Sequence, residues 1–99
     1  MKLQKPTNRY LLIKDSENVI RIELRQPTLS EFDRYTDMQR SSKSGAALIL
    51  IKQCLVQPTG IELDGMLDAR PFLKSRLEAT LLAMAGGELE IVEGEAEPS

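Results

Sequence analysis

The sequence predicts a mainly α-helical protein in which a small N-terminal β-hairpin is followed by a compact bundle of about four helices. Two observations support this: two β-prone runs near the N-terminus enclose a polar turn, and later segments place aliphatic residues at helical spacing. A chain of 99 residues, 41% of them apolar and 28% charged, is typical of one globular domain. We expect a single domain over residues 1–85, with the hairpin at 9–24 and the helical bundle at 28–85, and a flexible acidic tail over 86–99.

The hairpin is predicted from alternating hydrophobicity. Residues 19–24 (VIRIEL) place Ile20, Ile22 and Leu24 on one face of a strand, which is the pattern of a half-buried strand. Residues 15–18 (DSEN) provide turn-forming side chains between this run and the preceding run at 9–14. An isolated two-stranded hairpin is marginal in water, so its apolar face is expected to lie on the helices.

The first two helices are predicted from a cap and from composition. Thr28 and Glu31 form a capping-box pattern, which begins a helix at about 29–41. Residues 46–56 (AALILIKQCLV) are apolar nearly all round, which favours a helix surrounded by other helices. The β-branched residues in this segment leave a buried strand as the alternative.

Two more helices follow the breakers Pro58 and Gly60. A short helix is expected over about 62–69, and a last helix over 71–85, which ends at Gly86-Gly87. The apolar stripe of the last helix consists of Leu73, Leu77, Leu81 and Met84.

Composition and charge exclude several classes of function. Residues 1–85 carry a net charge of +3 that is spread along the chain, whereas residues 86–99 carry five glutamates and no base. A nucleic-acid-binding protein usually has a concentrated basic face, so no nucleic-acid partner is predicted. The longest apolar run, residues 46–51, is far shorter than the ~20 residues of a membrane span. With one cysteine and no secretory signal at the N-terminus, a reducing cytoplasm is expected.

The sequence offers no constellation for catalysis. It contains no histidine, which removes the commonest general base and the Ser-His and Cys-His nucleophile pairs. Cys54 lies in the most apolar segment, where burial raises the pKa of a thiol and makes it inert. The carboxylate pairs Asp33 with Asp37 and Asp64 with Asp68 are interpreted as solvated helix faces. We therefore predict no enzyme activity, no catalytic residues, no cofactor and no metal.

The aliphatic content indicates a partner-binding surface. A body of this size has more aliphatic surface than it can easily bury, and a surplus apolar patch on a protein usually marks a partner site. Methionines are flexible enough to serve permissive binding surfaces. The candidate partner-binding residues are Met38, Met66, Leu82 and Met84.

Several segments together resemble the small tail assembly chaperones of long-tailed bacteriophages and prophages. The resemblance begins with Arg25 and the helix-opening run at 26–35 (QPTLSEFDRY). It continues with 54–58 (CLVQP), with Arg70-Pro71, and with the aliphatic end of the last helix at 77–86. About two thirds of the chain is covered by this pattern of helix starts, breakers and aliphatic positions. The hairpin is not part of the resemblance.

The resemblance implies a holding function in the host cytoplasm. Such proteins bind the long, helical tape measure protein and keep it soluble until tail tube protein polymerises around it, and they are absent from the mature virion. The implied partner is the tape measure protein, with the tail tube protein as a second candidate and self-association into a homo-oligomer also left open. A longer, frameshifted form is also a feature of such proteins, and the acidic end is where it would attach.

Two other functions remain open at this stage. A structural tail completion or connector subunit would stay in the virion. A small DNA-binding regulator would use helices 46–56 and 62–69 as a loose helix-turn-helix, but the second of these carries Glu62, Asp64 and Asp68, which would repel phosphate.

Overall fold

The computed structural model describes residues 8–87, so the predicted acidic tail from residue 88 onward lies outside the described residues. Within that range, two strands are followed by two helices, a short third strand and two further helices. In chain order the elements are β1 (Arg9–Asp15), β2 (Asn18–Leu24), α1 (Leu29–Gln39), α2 (Lys43–Cys54), β3 (Leu55–Gln57), α3 (Gly60–Ala69) and α4 (Phe72–Leu82), with a π-type turn at Ala83–Gly87. The predicted fold class, a small hairpin followed by four helices, is confirmed.

The hairpin has the predicted turn and the predicted faces. Strands β1 and β2 pair antiparallel in a regular register that ends at Asp15 opposite Asn18. Ser16 begins the two-residue turn with a φ of 55°, in the left-handed region that tight hairpin turns require. Ile22 and Leu24 are fully buried on the face that packs on the helices, and Ile20 is half-buried beside them.

The third strand is the main departure from the sequence prediction. Residues 55–57 leave the helix that was expected to continue to 56 and pair antiparallel with β2, with Leu55 opposite Leu24. The backbone N–H of Arg25 donates to the carbonyl of Cys54 (2.9 Å), which satisfies one of the last carbonyls of α2. Because a residue before proline is restricted to extended conformations, Gln57 favours a strand before Pro58, and the Gln57-Pro58 bond is cis.

The core is aliphatic, as the low aromatic content predicts. A single cluster joins the inner face of the sheet to α2, α3 and α4, and Tyr35 is the one aromatic residue buried in it. The Tyr35 hydroxyl accepts a hydrogen bond from Gln39 (2.7 Å) and donates one to Glu78 of α4, so that α1 is tied to α4. The largest fully buried side chains are Ile22, Leu24, Leu50, Ile51, Leu63, Leu77, Leu81 and Cys54.

Local capping explains the observed helix ends. The helix expected over 46–56 begins earlier, at Lys43, because the Ser42 hydroxyl accepts from the N–H of Gly45 at 3.0 Å. The helix expected from 62 begins at Gly60 for the same reason, with Thr59 as its cap. The last helical segment ends where predicted, since Gly86 has a φ of 124° that L-residues rarely adopt.

Arg25 joins three elements at the end of β2. Its guanidinium donates two parallel hydrogen bonds to the carboxylate of Glu31 in α1, at 2.8 and 2.7 Å. It also donates to the carbonyl of Gln53 in the last turn of α2, at 2.7 Å. Glu31 completes the predicted capping box with Thr28, whose hydroxyl accepts from the Glu31 N–H (3.2 Å) and whose N–H donates to the Glu31 carboxylate (3.0 Å). We call Arg25, Thr28, Glu31 and the Gln53 carbonyl the clasp.

The clasp predicts a specific pH dependence of stability. Hydrogen bonding to Arg25 lowers the pKa of Glu31 from 4.5 to about 2 in the folded protein. A carboxyl with a lowered folded-state pKa stabilises the fold above its unfolded pKa, and this contribution is lost as the pH falls from about 5 towards 2. The variant Glu31→Gln is expected to lower the free energy of unfolding by about 1–2 kcal/mol at pH 7. The difference between wild type and variant should shrink steadily below pH 5 in urea titrations followed by circular dichroism.

Glu62→Gln is the matched control. Glu62 has the same third position in α3, and its N–H donates to the Thr59 hydroxyl (3.2 Å), but its side chain is exposed. This variant is expected to change stability by less than about 0.5 kcal/mol at every pH. Equal losses for both variants would show that helix capping alone, without Arg25, accounts for the contribution of Glu31.

Candidate functional site

A groove with a mainly apolar lining lies between the hairpin tip and α3. Its volume is about 340 Å³. One wall is the cross-strand pair Ile13 and Ile20, which are opposite one another in the register of β1 and β2. The other wall is α3, and Leu73 at the start of α4 lies at the end of the groove. We call this feature the tip groove.

The wall formed by α3 has regular helical spacing. Glu62, Gly65, Met66 and Ala69 line the tip groove, and these positions follow i, i+3, i+4 and i+7 on one helix face. Gly65 and Ala69 have small side chains or none, so the helix backbone lies close to the groove at these two positions. Met66 contributes a flexible, half-buried side chain that packs against the core.

Gly65 keeps the tip groove open at the expense of helix stability. A glycine in a helix interior is less favourable than alanine by about 1 kcal/mol. Gly65 has no compensating backbone role, because a Cβ built on it meets nothing within 4 Å and its φ is not positive. The space beside it is therefore the volume of the groove itself.

Two large apolar side chains near the groove residues in sequence are exposed. Ile61, which is 85% exposed, lies one turn of α3 before Gly65 on the same helix face. Phe72, which is 73% exposed, directly precedes the groove residue Leu73. Large apolar side chains at this exposure gain nothing from the fold, so they are available to a partner.

The four candidate residues from the sequence are not gathered at one place. Met38, Met66, Leu82 and Met84 are all half-buried and pack against the core. Met66 lines the tip groove, whereas the other three are not among the groove residues. The sequence prediction therefore indicated one groove residue and missed Ile13, Ile20 and Gly65. The alternation of the hairpin identified Ile20 as inward-facing, but it gave no indication that the hairpin tip lies across a groove from α3.

Cys54 and Tyr35 are two buried ionisable groups that are held in their neutral, unreactive forms. Burial raises the pKa of the Cys54 thiol to about 11, and the predicted inert cysteine is confirmed as fully buried. Burial and the neighbouring Glu78 carboxylate raise the pKa of Tyr35 to about 12. Neither shift produces a nucleophile or a base at neutral pH.

The carboxylate pairs expected to form solvated helix faces are exposed. Asp33, Asp37, Asp64 and Asp68 all lie at the surface, and Asp64 forms an ion pair with Lys52 of α2 at 2.8 Å. Within residues 8–87, His, Cys, Asp and Glu side chains form no group of three that could hold a metal ion. In the same range, no helix is long and apolar enough to cross a membrane.

The chain is similar to one solved structure, that of an uncharacterised protein from Bacillus stearothermophilus. The two share 19% sequence identity with a TM-score of 0.65, over 89% of this chain and 90% of that chain. At this identity the likeness shows the fold alone. No family model matches the sequence, and no curated protein matches it.

The burial of Cys54 predicts slow thiol chemistry. In the native protein at pH 8, Cys54 is expected to react with an aromatic disulfide reagent at least about a hundredfold more slowly than a free thiol, because the thiolate is scarce and shielded. Addition of urea above the unfolding midpoint should restore the ordinary rate. Fast labelling of the folded protein would contradict the assignment of Cys54 to the core.

Proposed function

We propose that this chain is a phage tail assembly chaperone, in which the tip groove holds the apolar stripe of a helical segment of the tape measure protein. The observation that carries this proposal is the apolar groove between two walls, Ile13 with Ile20 on one side and the α3 stripe on the other. The resemblance of residues 25–35 and 54–86 to this family supplies the identity of the client.

The geometry of the groove suits a helix as the bound segment. A bound amphipathic helix would place its own apolar anchors, at i, i+3, i+4 and i+7, between the pair Ile13 and Ile20 and the face of α3. The low positions at Gly65 and Ala69 leave room for large aliphatic anchors, and Met66 can adapt to anchors of different shape.

A holding function requires reversible binding without chemistry. Ile61 adds exposed apolar surface one turn before Gly65 on the same helix face, which extends the contact with a client beyond the groove itself. Two charged residues, Glu62 and Arg70, are among the residues that line the groove. An interface of this kind keeps the chaperone dispersed before the client binds and allows later release to the polymerising tail tube.

The acidic surface of α3 argues against the DNA-binding alternative. Glu62, Asp64 and Asp68 are all exposed on this helix, which is the one that would have to enter the major groove. Their charges would repel the phosphate backbone.

Filling the groove at Gly65 tests the proposal. Gly65→Leu improves helix propensity and directs its side chain into the groove, so the fold is retained while the space for a client anchor is lost. We expect it to reduce the amount of co-expressed tape measure protein recovered soluble and bound by about tenfold or more, the factor that corresponds to ~1.4 kcal/mol.

Gly65→Ala is the matched control, because it gives a similar gain in helix propensity and adds one carbon atom. It should retain client binding and raise the unfolding midpoint. If both variants hold the client as well as wild type does, the tip groove is not the client site. If wild type leaves the tape measure protein insoluble and unbound, the chaperone function itself is wrong. Detection of the chain in purified virions by mass spectrometry would favour the connector alternative.

A further inference from the structure

Strand β1 is an edge strand with the properties of a pairing surface. The sheet order β1-β2-β3 places β1 at one edge, and among residues 8–87 no strand pairs with its outer side. Its seven residues contain no proline, and its register with β2 has no bulge. Proteins usually protect such an edge with prolines, bulges or short strands, because a long regular edge pairs with other chains.

The register of the hairpin determines which backbone groups point outward. The two-residue turn closes on the pair Asp15 and Asn18, and hydrogen-bonded pairs then alternate along the strands. In this alternation the N–H and C=O groups of Tyr10, Leu12 and Lys14 point away from β2. Within residues 8–87, these three residues therefore carry the outward hydrogen-bonding groups of the edge, and no strand of that range pairs with them.

The edge strand carries apolar side chains on both faces of the sheet, with Lys14 beside them on the outer face. On the outer face, Leu12 is 64% exposed, and Arg21, the residue opposite it in β2, instead lies over the ring of Tyr10 at 3.6 Å. On the inner face, Leu11 and Ile13 are only half-buried against the core. A strand added beside β1 would cover Leu12 on the outer face and Leu11 and Ile13 on the inner face.

We propose that β1 pairs antiparallel with β1 of a second copy of this chain, about a two-fold axis at Leu12. In this register Leu12 faces Leu12, Leu11 faces Ile13 and Tyr10 faces Lys14, so apolar residues meet on both faces and a cation meets an aromatic ring. No two like charges are set opposite one another. The two three-stranded sheets become one six-stranded sheet.

This register is selected by the backbone as well as by the side chains. Antiparallel hydrogen bonding requires the outward-pointing residues of one strand to face those of the other. Centring on Leu12 pairs all three of them, Tyr10 with Lys14 and Leu12 with itself. A shift by two residues leaves one of the three opposite a residue outside the strand. The pairing does not depend on the proposed client or on the tip groove.

Charge variants at Leu12 test the proposal by sedimentation of the full chain. Wild type is expected to be a dimer. Leu12→Glu alone and Leu12→Lys alone each set like charges face to face at the axis, and each should weaken self-association by about tenfold or more. An equimolar mixture of the two variants should recover the dimer, because opposite charges then meet.

Val19→Glu is the matched control. Val19 is on the same outer face and is 60% exposed, but it lies in β2, away from the edge. This variant should sediment as wild type does. A monomeric wild type, including one in which another part of the chain covers the edge, overturns the proposal. So does a mixture that stays monomeric, or a Val19→Glu variant that dissociates as the Leu12 variants do.

A cysteine pair decides the question if the charged variants do not fold. Leu12→Cys should be joined into covalent dimers by a short bismaleimide, whereas Val19→Cys should not. Cys54 is buried and can remain in both proteins. Equal cross-linking at the two positions overturns the proposed register.

Discussion

The bidentate hydrogen bond between Arg25 and Glu31 is the constraint on which the arrangement of the elements depends. It fixes the end of β2 to the beginning of α1, and the third bond from the same guanidinium reaches the last turn of α2. A planar guanidinium can satisfy a carboxylate and a carbonyl at once, which lysine at this position could not do with the same geometry. The sheet and the bundle therefore meet at one defined angle.

The clasp also explains how the tip groove comes to exist. The carbonyls of Gln53 and Cys54 at the end of α2 accept hydrogen bonds from Arg25. The helix ends at Cys54, and the chain continues as β3 beside β2. The sheet is thus anchored to the helices at one end, and its other end, the hairpin tip, extends to α3. The groove lies between that tip and the helix face on which Gly65 and Ala69 leave space.

Local signals in the sequence predicted most of the fold. Thr28 with Glu31 identified the beginning of α1, and the alternation of Ile20, Ile22 and Leu24 identified the inner face of the hairpin. Strand β3 was missed because residues 55–57 adjoin an apolar helix, and only the long-range pairing with β2 distinguishes them from it. The groove was largely missed for a related reason. Strand alternation and helical periodicity describe each wall separately, but the groove forms only where Ile13 and Ile20 lie across from α3, and that placement is long-range.

Anchoring the sheet at a single end has a mechanical consequence. Ile20 lies five residues from Arg25, a distance of about 17 Å along an extended strand. The hairpin can therefore bend as a unit about its attachment at Arg25. A small bend over that length displaces Ile13 and Ile20 together, while Ile22 and Leu24, which are buried close to Arg25, keep their packing. The width of the groove can thus follow the size of a bound segment at the expense of the half-buried contacts of Ile13 and Ile20 alone, while the fully buried Ile22 and Leu24 stay packed.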